Sequence, residues 1–396
     1  MSSTSTAAPS TSRSPKRRRV VVSLATVGSL ALGGVLAAPA AHAELTGGHR
    51  PDVVQQSADK LVNEAKFPGA LISVREPNGR VRNYTAGVAD LQTKAKMPVD
   101  GRIRIASNTK MFTATVVLQL VGEGKVKLDE PVETYLPGLV RGPGIDGRKI
   151  TVRHLLQQTS GLQDYDDVLF EDFLNALGTY YEPHDLLDVA LARQPESAPG
   201  EKFVYANTNY VLAGLIVQKV TGRPVGEQIT KRVIEPLHLR DTYWPADGDK
   251  TIRGAHPRGY FPGVDGKPPV DITESEPSAG WSAGALIGPP SDLNRFLTGL
   301  FGGKLLKPAQ LAEMQKTVDA PEFDTVGGSR YGLGIATFKL SCGGVSWGHG
   351  GIAPGYVSQV GITSSGKSAT VAVTSLNGSA EQAAAVDKAL DATLCS

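Results

Sequence analysis

The two ends of the chain mirror each other, and this limits the possible folds more than any other feature. Residues 51–65 carry apolar side chains at helical spacing (Val53, Val54, Ala58, Leu61, Val62, Ala65). Two strand-like runs follow, 70–75 and 80–86, separated by the turn Pro77-Asn78-Gly79. At the far end, 331–340, 344–348, 356–363 and 368–375 read as strands, with 364–367 as a hairpin turn. Residues 379–394 then form an alanine-rich helix with Ser379 as its N-cap. Together these ends predict one antiparallel sheet covered by both terminal helices.

The middle has a different period. Residues 109–121, 151–158, 170–177, 185–192, 208–221, 226–234, 291–300 and 308–317 repeat at helical spacing. Gly/Pro-rich connectors such as 260–269 separate them. The expected fold class is α/β (α+β). Residues 44–108 and 325–396 form the sheet domain, and 109–324 form an inserted, mostly helical domain. An active site is expected where the two meet.

The first 43 residues read as a secretory signal peptide. Lys16, Arg17, Arg18 and Arg19 form a basic region, an apolar run from Val20 to about Ala38 follows, and Ala41-His42-Ala43 is a small-x-small cleavage site. A transmembrane anchor is the alternative, but Gly28, Gly33, Gly34 and Pro39 interrupt the run. The expectation is a secreted protein cleaved after Ala43, with no stable membrane anchor; Sec or twin-arginine export is left open. Cleavage leaves 36 basic against 39 acidic residues, a net charge of −3. Such a balance offers no basic surface for nucleic acid.

The chain has two cysteines, Cys342 and Cys395. In an exported protein they predict a disulfide, which would close a 53-residue interval and, in chain-entropy terms, contribute about 4 kcal/mol. Two cysteines without a local histidine cluster do not make a metal site, and no cofactor is expected.

A serine nucleophile needs a proton acceptor within hydrogen-bond reach. Ser-x-x-Lys at a helix start supplies one, because i and i+3 share a helical face. The motif occurs three times, at Ser57–Lys60, Ser107–Lys110 and Ser364–Lys367. Ser364–Lys367 lies in a polar turn, where a lysine is expected to stay solvated. Ser57–Lys60 is read as solvated surface of the first helix. Ser107–Lys110 instead enters the apolar run Met111–Leu118, so Lys110 should be desolvated and its pKa lowered. Two further motifs accompany it. Tyr205-Ala206-Asn207 is the chain's one Tyr-x-Asn, with a phenol for proton transfer and an amide to orient Lys110. His349-Gly350-Gly351 follows a strand expected to end at Gly348; its glycines would admit a substrate backbone to the strand edge. The Ile352 N–H, with that of Ser107, would form an oxyanion hole.

Ser-x-x-Lys, Tyr-x-Asn and His-x-Gly in this order resemble the serine hydrolases related to class C β-lactamases and secreted D-alanyl-D-alanine carboxypeptidases. Ile105-Ala106-Ser107-Asn108-Thr109-Lys110, Thr159-Ser160-Gly161-Leu162 and Tyr331-Gly332-Leu333-Gly334 are similar to that family as well. The resemblance implies a β-lactamase/transpeptidase-like fold and an acyl-enzyme on Ser107. Lys110 and Tyr205 would share the proton transfers, with either as the general base. Asn207 and His349 would hold the network. It implies a D-Ala-D-Ala carboxypeptidase or other D-peptidase acting on a small peptide, ester or β-lactam, with peptidoglycan as a further partner. An esterase or β-lactamase on the same scaffold is the alternative, and a non-catalytic cell-wall-binding or β-lactam-sensing protein is the second.

The chain departs from the carboxypeptidases at two places. Gly350 and Ile352 stand where hydroxyl side chains are expected, and Ala336-Thr337-Phe338 where an arginine is expected, with Lys339 nearby. Without those donors a free carboxylate is recognised poorly, which leaves endopeptidase, amidase and esterase chemistry open. Trp281 is expected either to line the cleft or to pack in the core. Asp164, Asp166 and Asp167 lack the spacing of a calcium loop and are read as a solvated turn.

Overall fold

The computed structural model describes residues 52–263, 266–321, 323 and 325–396. The expected signal segment and its cleavage site lie outside the described residues. Among these, no helix is long and apolar enough to cross a membrane.

The elements that place the site are, in chain order, α1 (Val53–Asn63), β1 (Gly69–Arg75), β2 (Val81–Gly87), α2 (Thr109–Gly122), α3 (Asn207–Thr221), α4 (Pro290–Phe301), β3 (Val318–Asp319), β4 (Arg330–Tyr331), β5 (Ala336–Lys339), β6 (Val345–Ala353), β7 (Tyr356–Thr363), β8 (Ser368–Val373) and α5 (Ala380–Cys395). The eight strands form one sheet in the order β2-β1-β8-β7-β6-β5-β4-β3. Every pairing is antiparallel. β1 reaches β8 across most of the chain, with Ala70 opposite Val373, so the two ends share a sheet as their patterns predict.

Each terminal helix starts on a side-chain cap. Asp52 accepts from the Val54 N–H, and the Ser379 hydroxyl accepts from the Gln382 N–H. Both helices cover one face of the sheet, where Val54, Ala58, Leu61, Val386 and Leu390 pack on Ile72, Val371 and Val373. The Cys342–Cys395 disulfide forms and ties the end of α5 to the turn before β6. The other face receives α4, whose Asn294 amide donates to Ser73 O and accepts from Thr370. Beyond α4 lies α2, buried from Thr109 through Leu118; Phe112 stacks on Phe296 of α4 at 4.0 Å. A helix surrounded by packing needs apolar side chains all round, which explains why α2 has no polar stripe.

Four expectations are corrected. Residues 331–340 are not one strand: Gly334 has φ +77 and Gly332 N–H donates to Ile335 O, so the segment folds into the hairpin of β4 and β5. The strand expected to end at Gly348 runs to Ala353, because residues 349–353 pair with β7. Ser57 is buried rather than solvated, with its hydroxyl donating to Val53 O. Lys367 is also buried, its Nζ bonded to Ser396 O at 2.8 Å. Neither of the latter two positions gains a catalytic environment.

Candidate active site

The short strand Ile103–Arg104 pairs with Ile287–Gly288 and delivers the chain to a one-turn 3-10 helix, Ala106–Asn108, ahead of α2. Ala106 has φ +52, a left-handed backbone that alanine adopts only at a cost. Asn108 holds the turn in place by donating to Ile105 O at 2.8 Å and Ser358 Oγ of β7 at 2.9 Å. Ser107 is thereby set at the start of α2 against the sheet, facing a cleft of about 1310 Å³ that Tyr205, Asn207 and residues 349–352 also line.

Lys110, one helical turn on, is completely buried. Its Nζ lies 2.9 Å from Ser107 Oγ, 2.5 Å from Asn207 Oδ1 and 3.0 Å from Ala283 O. Two of these partners are carbonyl oxygens and can only accept. Two N–H bonds must therefore point at them, leaving the third tetrahedral position to face the Ser107 hydroxyl. In the ammonium form that position is an N–H; in the amine form it is a lone pair aimed at the serine proton. Burial lowers the Lys110 pKa to about 7, against the opposing pull of Asp164 and Asp166, so the amine form is accessible near neutrality.

Tyr205 and Asn207 flank the N-terminus of α3. Gln158 secures this segment, its side-chain oxygen accepting from Ala206 N–H and the Asn209 amide. The Tyr205 ring centroid is 4.9 Å from Lys110 Nζ, and the residue lines the same cleft as Ser107. Burial raises its pKa well above the ordinary tyrosine value, with Tyr331 adding to the effect. The phenol is therefore protonated at neutral pH and suited to donate a proton.

His349 is buried on β6, and its bonds define its tautomer. Nδ1 faces the Gly350 carbonyl and must carry the hydrogen, so Nε2 accepts from Tyr331 Oη at 2.9 Å. Burial, aided by the Lys110 charge, lowers its pKa to about 3. His349 is thus a neutral wall of the site, not a proton carrier. β5 pairs with β6 only as far as Gly348, so among the described residues no strand pairs with the other edge of residues 349–353. With Ala353 opposite Tyr356 closing the hairpin to β7, Gly350 and Ile352 present their backbone groups to that edge. The expected oxyanion donor, Ile352 N–H, stands there, and the Ile352 side chain is 66% exposed at the rim.

Gly351 serves a different purpose from the one expected. A Cβ there would meet Ile105 O at 2.5 Å and Asn108 Nδ2 at 2.8 Å, so its absence lets the strand approach the Ser107 turn rather than a substrate. Trp281 does not line the cleft; its ring lies against Gly214 of α3 and packs on the helical core. The contribution of its segment is the Ala283 carbonyl.

The largest surprise is the acidic loop. Asp164 and Asp166 are not a solvated turn. Asp164 Oδ2 accepts from Asn207 N–H at 3.0 Å and Asn207 Nδ2 at 3.1 Å; Asp166 Oδ2 accepts from Asn207 Nδ2 at 2.7 Å. Burial raises both carboxyl pKa values, that of Asp166 further because Asp164 is beside it. Asp167 is exposed and pairs with Arg193. An Asp two residues before another is too common a pattern to mark such a role from sequence.

The beta-lactamase family model matches residues 54–394, and the chain belongs to that family of serine hydrolases related to penicillin-binding proteins. It is similar to the D-stereospecific amidohydrolase from Streptomyces sp., with 38% identity, a TM-score of 0.76, and coverage of 84% of this chain and 98% of that one. The D-amino acid amidase from Ochrobactrum anthropi SV3 is 29% identical with a TM-score of 0.76, over 86% of this chain and 96% of that one. Protein flp of Staphylococcus aureus is 32% identical over 206 residues, 51% of this chain. The aligned part spans 40% of the length of that protein.

Proposed function

We propose that the chain is a D-stereospecific amidohydrolase that cleaves an amide bond at a D-amino-acid carbonyl through an acyl-enzyme on Ser107. The observation that carries this reading is the Lys110 Nζ placed 2.9 Å from Ser107 Oγ with its other two partners restricted to accepting. Ser107 Oγ attacks the carbonyl carbon as its proton passes to Lys110. The oxyanion is held by the Ser107 and Ile352 N–H groups. Tyr205 protonates the departing nitrogen as the C–N bond breaks and is reprotonated by Lys110; water then attacks the Ser107 ester, giving a proton to Lys110, which returns it to Ser107 Oγ as the acid leaves.

Two observations favour amides over a free C-terminal carboxylate. Two of the similar proteins are named as D-stereospecific amidohydrolase and D-amino acid amidase. With Asp319 paired to Arg330 and the Asp166 pKa raised by burial, the cleft lining still carries four carboxylates (Glu196, Glu201, Glu276, Asp387) against Arg104 and Lys202. This field favours a substrate bearing a free amine and opposes an anionic terminus. The substrates are small D-amino acid amides or peptides, peptidoglycan-derived ones among them. The Cys342–Cys395 disulfide supports action outside the cytoplasm.

The test is a substrate panel with Ser107→Ala as control: D- and L-phenylalanine amide, an acyl-D-Ala-D-Ala peptide, a p-nitrophenyl ester and a β-lactam. Turnover of the D-amide well above the L-amide, with a Ser107 adduct by mass spectrometry, is expected. Equal rates for both enantiomers defeat the stereospecific reading. Release of D-Ala without amide turnover replaces it with carboxypeptidase action. No Ser107 adduct from any acyl donor sinks the mechanism.

A further inference from the structure

Asn207 has four hydrogen-bonding directions at its side chain, and the surrounding charges leave it one orientation. Its oxygen meets Lys110 Nζ at 2.5 Å, while its nitrogen meets Asp166 Oδ2 at 2.7 Å and Asp164 Oδ2 at 3.1 Å. Rotating the amide by half a turn would set N–H bonds against the lysine and oxygen against two carboxylates. Both contacts would then be lost and replaced by like-with-like pairs.

We propose that Asp166, together with Asp164, is a positioning residue for acylation: the two carboxylates lock the Asn207 amide so that its oxygen holds Lys110 with its third tetrahedral position on Ser107 Oγ. This rests on the reading that Lys110 takes the Ser107 proton. It goes beyond it by assigning a role to a loop more than fifty residues from the nucleophile.

The two carboxylates differ in what else they do. Asp164 also accepts the Asn207 backbone N–H at the first turn of α3 and the Asp166 N–H, so its loss would loosen that helix end. Among the described residues the Asp166 carboxyl accepts a hydrogen bond from the Asn207 amide alone, which makes it the cleaner probe. The charged and titratable neighbours are few. Asp167 is turned outward to Arg193, and an Arg193 N–H also donates to Asp164 O. Tyr165 donates to Ala279 O. Around Lys110 stand Tyr205, Tyr210 and His349. Burial keeps the tyrosines protonated, and His349 is neutral above a pKa of about 3. The acidic groups whose charge supports the Lys110 ammonium are therefore Asp164 and Asp166, and burial raises the pKa of both, that of Asp166 further.

The experiment compares wild type, Asp166→Asn and Asp164→Asn in acylation by a p-nitrophenyl ester that carries no amine, so that charge recognition of the substrate does not enter. Asp166→Asn should lower kcat about tenfold or more with KM little changed. Asp166→Asn removes a group that, when ionised, supports the Lys110 ammonium, so the acid limb of kcat/KM should move to lower pH. A purely structural role would reduce the melting temperature and leave the limb in place. An isotope-shift titration of the Lys110 side chain in the resting protein reads the same displacement without turnover. Wild-type kcat and an unmoved Lys110 titration in Asp166→Asn overturn the proposal while leaving the Ser107 reading intact. A wild-type protein that forms no Ser107 adduct overturns both.

Discussion

Asn207 Oδ1 lies 2.5 Å from Lys110 Nζ although 97 residues separate them in the chain. This contact joins the start of α3 to the first turn of α2, and it converts a buried lysine into a directed one. A buried ammonium with no partners would be prohibitively costly. Here the amide and the Ala283 carbonyl satisfy two directions and leave the third for Ser107.

The first prediction concerns pH. In the proposed mechanism, acylation of Ser107 requires Lys110 in its neutral form, and burial lowers its pKa to about 7. The kcat/KM for an ester or amide should therefore rise through an acid limb centred near 7. Lys110→Met should lose about 10²–10⁴-fold in kcat. A stopped-flow pH series checks both; a limb at the ordinary lysine value would count against Lys110 as base.

His349 should make the fold acid-sensitive. An unfolded histidine binds its proton at about 6.5, and His349 in the fold does so at about 3. Between these values the unfolded chain holds more protons. Stability attributable to this residue is therefore full above 6.5, falls as pH drops, and is lost by 3. The span corresponds to an upper limit of about 5 kcal/mol. His349→Gln should lose less stability than wild type between pH 6.5 and 4 in urea titrations.

Two adjacent glycines should respond differently to the same change. A methyl at Gly351 meets the backbone oxygen of Ile105 and the Asn108 amide, both part of the Ser107 turn. A methyl at Gly350 meets the far end of the Gln359 side chain at 2.9 Å, which can move aside. Gly351→Ala is expected to cost about 1–3 kcal/mol and depress acylation. Gly350→Ala should stay near wild type in thermal melts, and equal losses in the two variants would contradict this account.

The disulfide should matter for stability and little for chemistry. Cys342 is exposed and the bond fastens the end of α5. The Cys342→Ser/Cys395→Ser double variant should lose about 2–5 kcal/mol in denaturant titrations, with kcat retained well below its melting temperature.

The terminal architecture was readable because its elements carry local signals: short strand-like runs bounded by turns in β1 and β8, a serine cap before α5, and a Pro-Asn-Gly turn between β1 and β2. Local signals failed where pairing overrode them. Glycines at 348, 350 and 351 look like a strand end, yet the ladder to β7 continues past them because the backbone groups of His349, Gly351 and Ala353 face β7. Gly332 and Gly334 look tolerable within one strand, yet they fold the segment back on itself.

The sequence by itself determined that Ser107 and Lys110 share a helical face, since that follows from the 3.6-residue period. It also determined that Lys110 enters an apolar helix and that Tyr205-x-Asn207 opens another. Only the tertiary structure decided which groups meet Lys110, that His349 is neutral, and that Asp164 and Asp166 turn inward. Burial and hydrogen bonding between α2, α3 and the 164–166 loop arise when segments far apart in sequence are packed together. Desolvation and charge then depend on that packing, not on any local pattern.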